Sequence, residues 1–182
     1  MKPRVGISRC LLGDDVRYDG TNKRSAAVLA LGNDVEWVPV CPELEVGMSV
    51  PREPIQLVAA PRGIPSAGER VVLLAVGSGT DWTDRMHAWT ATRVVALAAE
   101  DLSGFVLKAR SPSCGPAAVL VHHPATPSIA PTPTGRGLFA EALAAALPEL
   151  PLIDEESLQD PHAREEFMRR VRARADTVCT NT

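Results

Sequence analysis

Aromatic side chains are scarce. One tyrosine, three tryptophans and three phenylalanines make up 4% of the 182 residues. A chain of this length buries about 70% of the surface its unfolded form would expose. Its core must therefore be built from Val, Leu and Ala. An excess of basic charge is also missing: the net charge is −3, and no basic stripe with interleaved aromatics occurs. That excludes nucleic acid as a main partner. Long apolar runs are lacking, since a stretch such as 71–76 falls far below the ~18 residues that a membrane span requires. No apolar segment follows the charged start Met1-Lys2-Pro3-Arg4, so a simple secretory signal is not expected. The expectation is a cytosolic protein with no membrane partner. No pair of cysteines has C-x-x-C spacing, which removes the zinc-ribbon and thioredoxin readings. There is no internal repeat. The length favours a single domain, placed over residues 1–175, with a flexible tail over 176–182.

What is present is an alternation of strand-like and helix-like segments. Residues 4–8, 34–40, 70–76, 104–108, 117–122 and 150–154 read as strands. Residues 22–31, 80–102, 137–147 and 161–175 read as helices, with Gly32-Asn33 and Pro148 as stops. Residues 63–69 look like a turn and the proline-rich 124–136 like a loop. Strands alternating with helices imply an α/β fold, Rossmann-like, with a mainly parallel sheet and helices on both faces. In such sheets the functional crevice lies beyond the carboxyl ends of the strands.

Four cysteines are placed unevenly on this plan. Cys10 follows the first strand, Cys41 directly follows the second, and Cys114 follows "GFVLK" after a short loop. Cys179 lies near the chain end and shares none of this. Buried cysteines are commonly small hydrophobes. The loops around the first three argue otherwise, because "LLGDDVRYDG", "PELEVGMSVPREP" and "SPSCGP" carry polar groups on proline- and glycine-stiffened backbones. Three converging thiolates suit zinc, copper(I) or an iron–sulfur cluster. A cubane cluster usually takes four cysteines, so three leave one iron open. A zinc ion with three cysteines and a water is the alternative.

The segments "ISRCLLG", "VRYDG", "VPVCPELEVGMSVPREP", "LKARSPSCG" and "GRGLFAEALAAALPELPLIDEESLQDPHAREEFMRRV" together resemble the domain-of-unknown-function family 523, which includes the thiouracil desulfidases of the TudS type. The resemblance runs from about residue 3 to about residue 172, with the motifs in order. It implies a Rossmann-like fold and a [4Fe–4S] cluster held by Cys10, Cys41 and Cys114. It also implies non-redox desulfuration of a small-molecule thiolated base such as 2-thiouracil, by hydrolysis, with release of sulfide. The family's acid after "CP" falls on Glu43, and the first serine of "SPSC" on Ser111, as the catalytic pair. One departure is Val46-Gly47, where members often carry two glycines.

Other residues carry two readings each. Lys108 ends a strand at the crevice and is a candidate to pair with an anionic intermediate; Ser113, beside Cys114, is a second candidate contact. Glu45 is a substitute for Glu43 or a loop charge, and Arg17 and Arg52 are ligands of a substrate anion or surface charges. His122 and His123 are adjacent on a strand and point to opposite faces, which disfavours a shared metal. Gly77-Ser78-Gly79-Thr80 precedes a helix but lacks the phosphate-loop pattern. A cluster- or zinc-binding redox sensor without turnover is the alternative function.

Overall fold

The structure is a computed structural model that describes residues 2–61, 69–124 and 129–180. The chain opens with β1 (Arg4–Ser8), a 3₁₀ turn over Arg9–Leu12, α1 (Ala26–Leu31), β2 (Glu36–Val40) and the short α2 (Pro42–Glu45). It continues through β3 (Ile55–Pro61), β4 (Glu69–Ala75), α3 (Thr83–Ala98) and β5 (Gly104–Leu107). Then come β6 (Val119–His122), β7 (Thr132–Gly135), α4 (Leu138–Ala146), β8 (Leu152–Asp154) and α5 (Pro161–Thr180).

Two sheets result. The first has the order β2-β1-β5-β8 and is parallel throughout. Val28 and Leu31 of α1 and Phe167, Met168 and Val171 of α5 pack with Val5, Ile7 and Val106. Val94 and Leu97 of α3 and Phe139, Ala140 and Leu143 of α4 pack with Val38, Val40, Phe105 and Leu107. Helices thus cover both faces, as the α/β reading expects. Phe105 and Phe139 meet edge to face at 5.6 Å, so two of the few aromatics are spent at the centre of this core. Pro39 is tolerated because β2 is an edge strand.

The second sheet, ordered β4-β3-β6-β7, was not anticipated. β3 follows Pro54 and ends on Pro61, and its segment "IQLVAAP" lacks the alternation that marks a half-buried strand. β4 and β6, read as members of the main sheet, instead pair with β3, antiparallel and parallel respectively. β7 falls within the expected loop 124–136. Of the expected turn at 63–69, residues 63–68 lie outside the described residues, as does part of that loop, and Glu69 opens β4. α1 starts at Ala26, later than the residue 22 expected, because Ser25 caps it by accepting from the Val28 N–H at 3.4 Å. α5 continues to Thr180, past the end expected at residue 175. The side chain of Cys179 lies outside the described residues. Among the described residues no helix is long and apolar enough to cross a membrane.

Candidate functional site

β1 connects leftward to β2 in the main sheet, and the chain later returns to place β5 on the other side of β1. The strand order therefore switches between β1 and β5, which is where open α/β sheets form a crevice. A cleft of about 310 Å³ opens there, beyond the carboxyl ends of β1, β2 and β5. Cys10, Cys41 and Cys114 all line it, as do Glu43, Lys108 and Ser111.

Each thiol is set by a different local device. Cys10 sits in the 3₁₀ turn directly after β1. Cys41 is the residue before α2, and its N–H donates to Glu45 Oε1 at 3.1 Å. Its sulfur faces the first-turn N–H groups of Leu44 and Glu43. Cys114 lies in a loop clamped from two sides. Ser111 Oγ accepts from the N–H groups of Ser113 (3.2 Å) and Cys114 (3.1 Å). The free N–H groups at the start of α4 are satisfied by carbonyls of that same loop: Leu138 donates to Pro112 at 3.1 Å and Phe139 to Ser113 at 3.0 Å. Gly137 must be glycine, because a Cβ there would stand 2.5 Å from the Ser113 carbonyl.

Burial pushes all three thiols up, Cys10 to about 12. The cysteines also raise one another: Cys41 acts on Cys10, and both act on Cys114. Lys108 pulls the other way on Cys10, and a hydrogen bond from Ser8 does so on Cys114. The three sulfurs share one cleft, with Cys114 buried and Cys10 and Cys41 half-buried. Three soft donors that repel one another as anions fit a multivalent iron–sulfur centre. No group of three or more His, Cys, Asp or Glu among the described residues is arranged to hold a single metal ion, so the zinc alternative finds no support.

The polar residues divide by what already binds them. Glu43 Oε2 accepts from Arg52 Nε at 3.0 Å and from Arg52 Nη2, while Oε1 accepts from Ser113 Oγ at 3.1 Å. Ser113 is completely buried, does not line the cleft itself and bonds Glu43, which does. Ser111 uses its oxygen to accept, which leaves its O–H to donate into the cleft it lines. Lys108 Nζ donates to the Ala109 carbonyl at 3.0 Å and to Glu155 Oε1.

Two functional candidates, Glu155 and Ser8, have no place in the sequence reading, and a third, Arg52, has two readings there. Glu155, at the end of β8, holds Lys108 and also accepts from the Ala109 N–H at 2.7 Å. Ser8, buried at the end of β1, accepts from the Lys108 N–H at 3.0 Å. Arg52, left open between ligand and surface charge, has a side chain only 7% exposed and pairs with Glu43. A polar residue at or just past the carboxyl end of a strand of the main sheet is the signal that marks Ser8 and Glu155.

Other expectations resolve plainly. Glu45 bonds the Cys41 N–H and pairs with Arg93 at 3.2 Å. Arg17 lines the cleft and pairs with Asp19. The Gly77–Thr80 loop does receive an anion, but it is Glu53 of the same chain, bonded by the N–H groups of Gly77 (2.8 Å) and Ser78 (2.7 Å). His122 and His123 belong to the second sheet and its edge and do not line the cleft. Val46 has ordinary helical angles (φ −78°), so it needs no glycine; Gly47, at φ +97°, does.

Comparison with known proteins agrees with this geometry. An uncharacterized protein of Bacillus subtilis (strain 168), YbbK, is 34% identical over 114 residues, spanning 60% of this chain and 71% of that one. A solved structure described as the [4Fe-4S]-dependent thiouracil desulfidase TudS superposes with a TM-score of 0.60 at 26% identity, covering 87% of this chain and 94% of that one. A family model described as 2-thiouracil desulfurase matches residues 5–155, a span that runs from β1 to Glu155 and takes in all three cleft cysteines. The chain belongs to the 2-thiouracil desulfurase family.

Proposed function

We propose that the protein removes sulfur from a thiolated pyrimidine base such as 2-thiouracil, exchanging thiocarbonyl for carbonyl and releasing sulfide. The observation that carries this reading is the meeting of three remote cysteines with Glu43 and Ser111 in one cleft. Cys10, Cys41 and Cys114 are the residues that would hold a [4Fe–4S] cluster, the cofactor named for the TudS structure. When bound through three cysteines, such a cluster supplies an iron with no protein ligand, a Lewis acid toward the thiocarbonyl sulfur.

The chain's own groups then handle position and protons. Glu43 accepts a proton from the water that attacks the thiocarbonyl carbon. A carboxylate set for this duty contributes ~10²–10⁴-fold to the rate. Ser111 donates a hydrogen bond to the ring or to that water. Lys108, held by Glu155, places positive charge beside the site where the leaving sulfur gains negative charge. The balance closes without electron transfer: one water enters, its oxygen stays on carbon, and its two protons leave with sulfur as hydrogen sulfide.

The test is an anaerobic assay of uracil and sulfide from 2-thiouracil and 4-thiouracil with no electron donor or acceptor added. Equal amounts of uracil and sulfide are expected from at least one of them. Absence of turnover with both, or turnover that requires a reductant, contradicts the reading.

A further inference from the structure

Arg52 makes more bonds than a surface charge has use for. Its Nε and Nη2 both donate to Glu43 Oε2. Nη2 also donates to the Val16 carbonyl at 3.0 Å, and Nη1 to the Ser49 carbonyl at 2.9 Å. Its own N–H donates to the Tyr18 carbonyl at 2.8 Å. Val16 and Tyr18 lie in the segment after Cys10, and Glu43 and Ser49 in the segment after Cys41. One buried guanidinium thus ties both segments to the carboxylate between them. On the far side, the fully buried Ser113 gives its hydroxyl to Glu43 Oε1 at 3.1 Å. With one oxygen held twice and the other once, the carboxylate plane is fixed. Glu43 so held lines the cleft.

We propose that Arg52 is a positioning residue for the reaction: it orients the Glu43 carboxylate and acts through it, not on the substrate. A lysine could not replace it, because one ammonium cannot reach Glu43, Val16 and Ser49 with the geometry of a planar fork. The proposal rests on the proton role given to Glu43 above.

A double-mutant cycle on the cluster-loaded protein tests it, using Glu43→Gln, Arg52→Gln, the double variant and Arg52→Lys. Iron content, kcat and KM for 2-thiouracil are read for each. Arg52→Gln should lower kcat by about 10²-fold with KM and iron content little changed, and Glu43→Gln by at least that factor. The double variant should be no slower than Glu43→Gln alone, since a residue that acts through another adds nothing once that other is gone. It also carries no orphaned buried carboxylate, so it folds even where Arg52→Gln does not. Arg52→Lys should remain slower than the unaltered protein by roughly 10-fold or more, since a hydrogen bond to a charged group is lost. A slow Glu43→Gln beside a normal Arg52→Gln or Arg52→Lys overturns this proposal alone. A double variant slowed multiplicatively does the same, because Arg52 would then act independently. A normal kcat in Glu43→Gln overturns the proton role of Glu43 and this proposal with it.

Discussion

A thiol that burial holds in its neutral form resists becoming a ligand until a cation compensates it. Cys10, Cys41 and Cys114 are all in that position, and each is raised further by its neighbours. Two consequences follow at the scale of single residues. Ligation requires thiolates, so assembly of the cluster on the metal-free protein should release about three protons per chain near pH 7 beyond those given up by the added sulfide, read by a weakly buffered pH titration against the same iron and sulfide combined without protein. An excess of less than about one proton contradicts the thiol environment described. The second concerns stability. The folded Cys10 thiol titrates at about 12, against an unfolded value near ~8.5. Below the unfolded value both states are protonated and the contribution is fully present. As pH rises from there toward the folded value the unfolded chain ionises first, and stability is lost. The urea midpoint of metal-free protein should therefore fall between pH 7.5 and pH 10, and an unchanged midpoint would contradict the burial of these thiols. The positions of the three thiols, just past strand ends, were legible in the sequence, because local pattern reveals strand ends. The partners that settle Arg52 between ligand and surface charge were not. One of them, the Val16 carbonyl, lies 36 residues away and carries no local sign of the contact.

Among the elements, α4 does most to hold Cys114 in place. Its first N–H groups bond the carbonyls of the loop that carries the thiol, and Gly137 allows the approach. Gly137→Ala drives a methyl into the Ser113–Cys114 backbone, a clash of the kind that costs ~1–3 kcal/mol. The expected outcome is a folded protein with reduced iron content, measured by metal analysis beside circular dichroism. Full iron loading in this variant would show that α4 does not set the loop. The helix itself was readable from its Ala-rich pattern and the Pro148 stop. Its role was not, since a cap formed by the carbonyls of a distant loop leaves no mark in local composition. α2 was missed although Pro42 at its first position and the acidic Glu43 and Glu45 are start signals; four residues are too few to show a helical period.

Across the whole molecule, the two cysteine loops are tied together a second time at their far ends. The chain leaves the Cys41 segment into β3 and the Cys114 loop into β6, and these strands pair in parallel with Leu57 opposite Val121. The second sheet is therefore a brace between the loops, built from insertions into the Rossmann-like core. That arrangement was hidden from the sequence because strand pairing across some 60 residues is a long-range choice, while the parallel core was visible as alternating elements. Leu57 is fully buried in the brace. Leu57→Ala should cost ~2–5 kcal/mol in urea unfolding. Its cluster should also be lost at lower urea than that of the unaltered protein. Destabilisation with the cluster retained to the same urea concentration would separate the brace from the site.

One inorganic centre shared by three sulfurs is central to the proposed chemistry, and its most direct measurement is iron and acid-labile sulfide per chain after anaerobic reconstitution. About four of each are predicted for the unaltered protein, falling to near zero in Cys10→Ala, Cys41→Ala and Cys114→Ala taken singly. A full complement of iron and sulfide in any one of those three variants would contradict it.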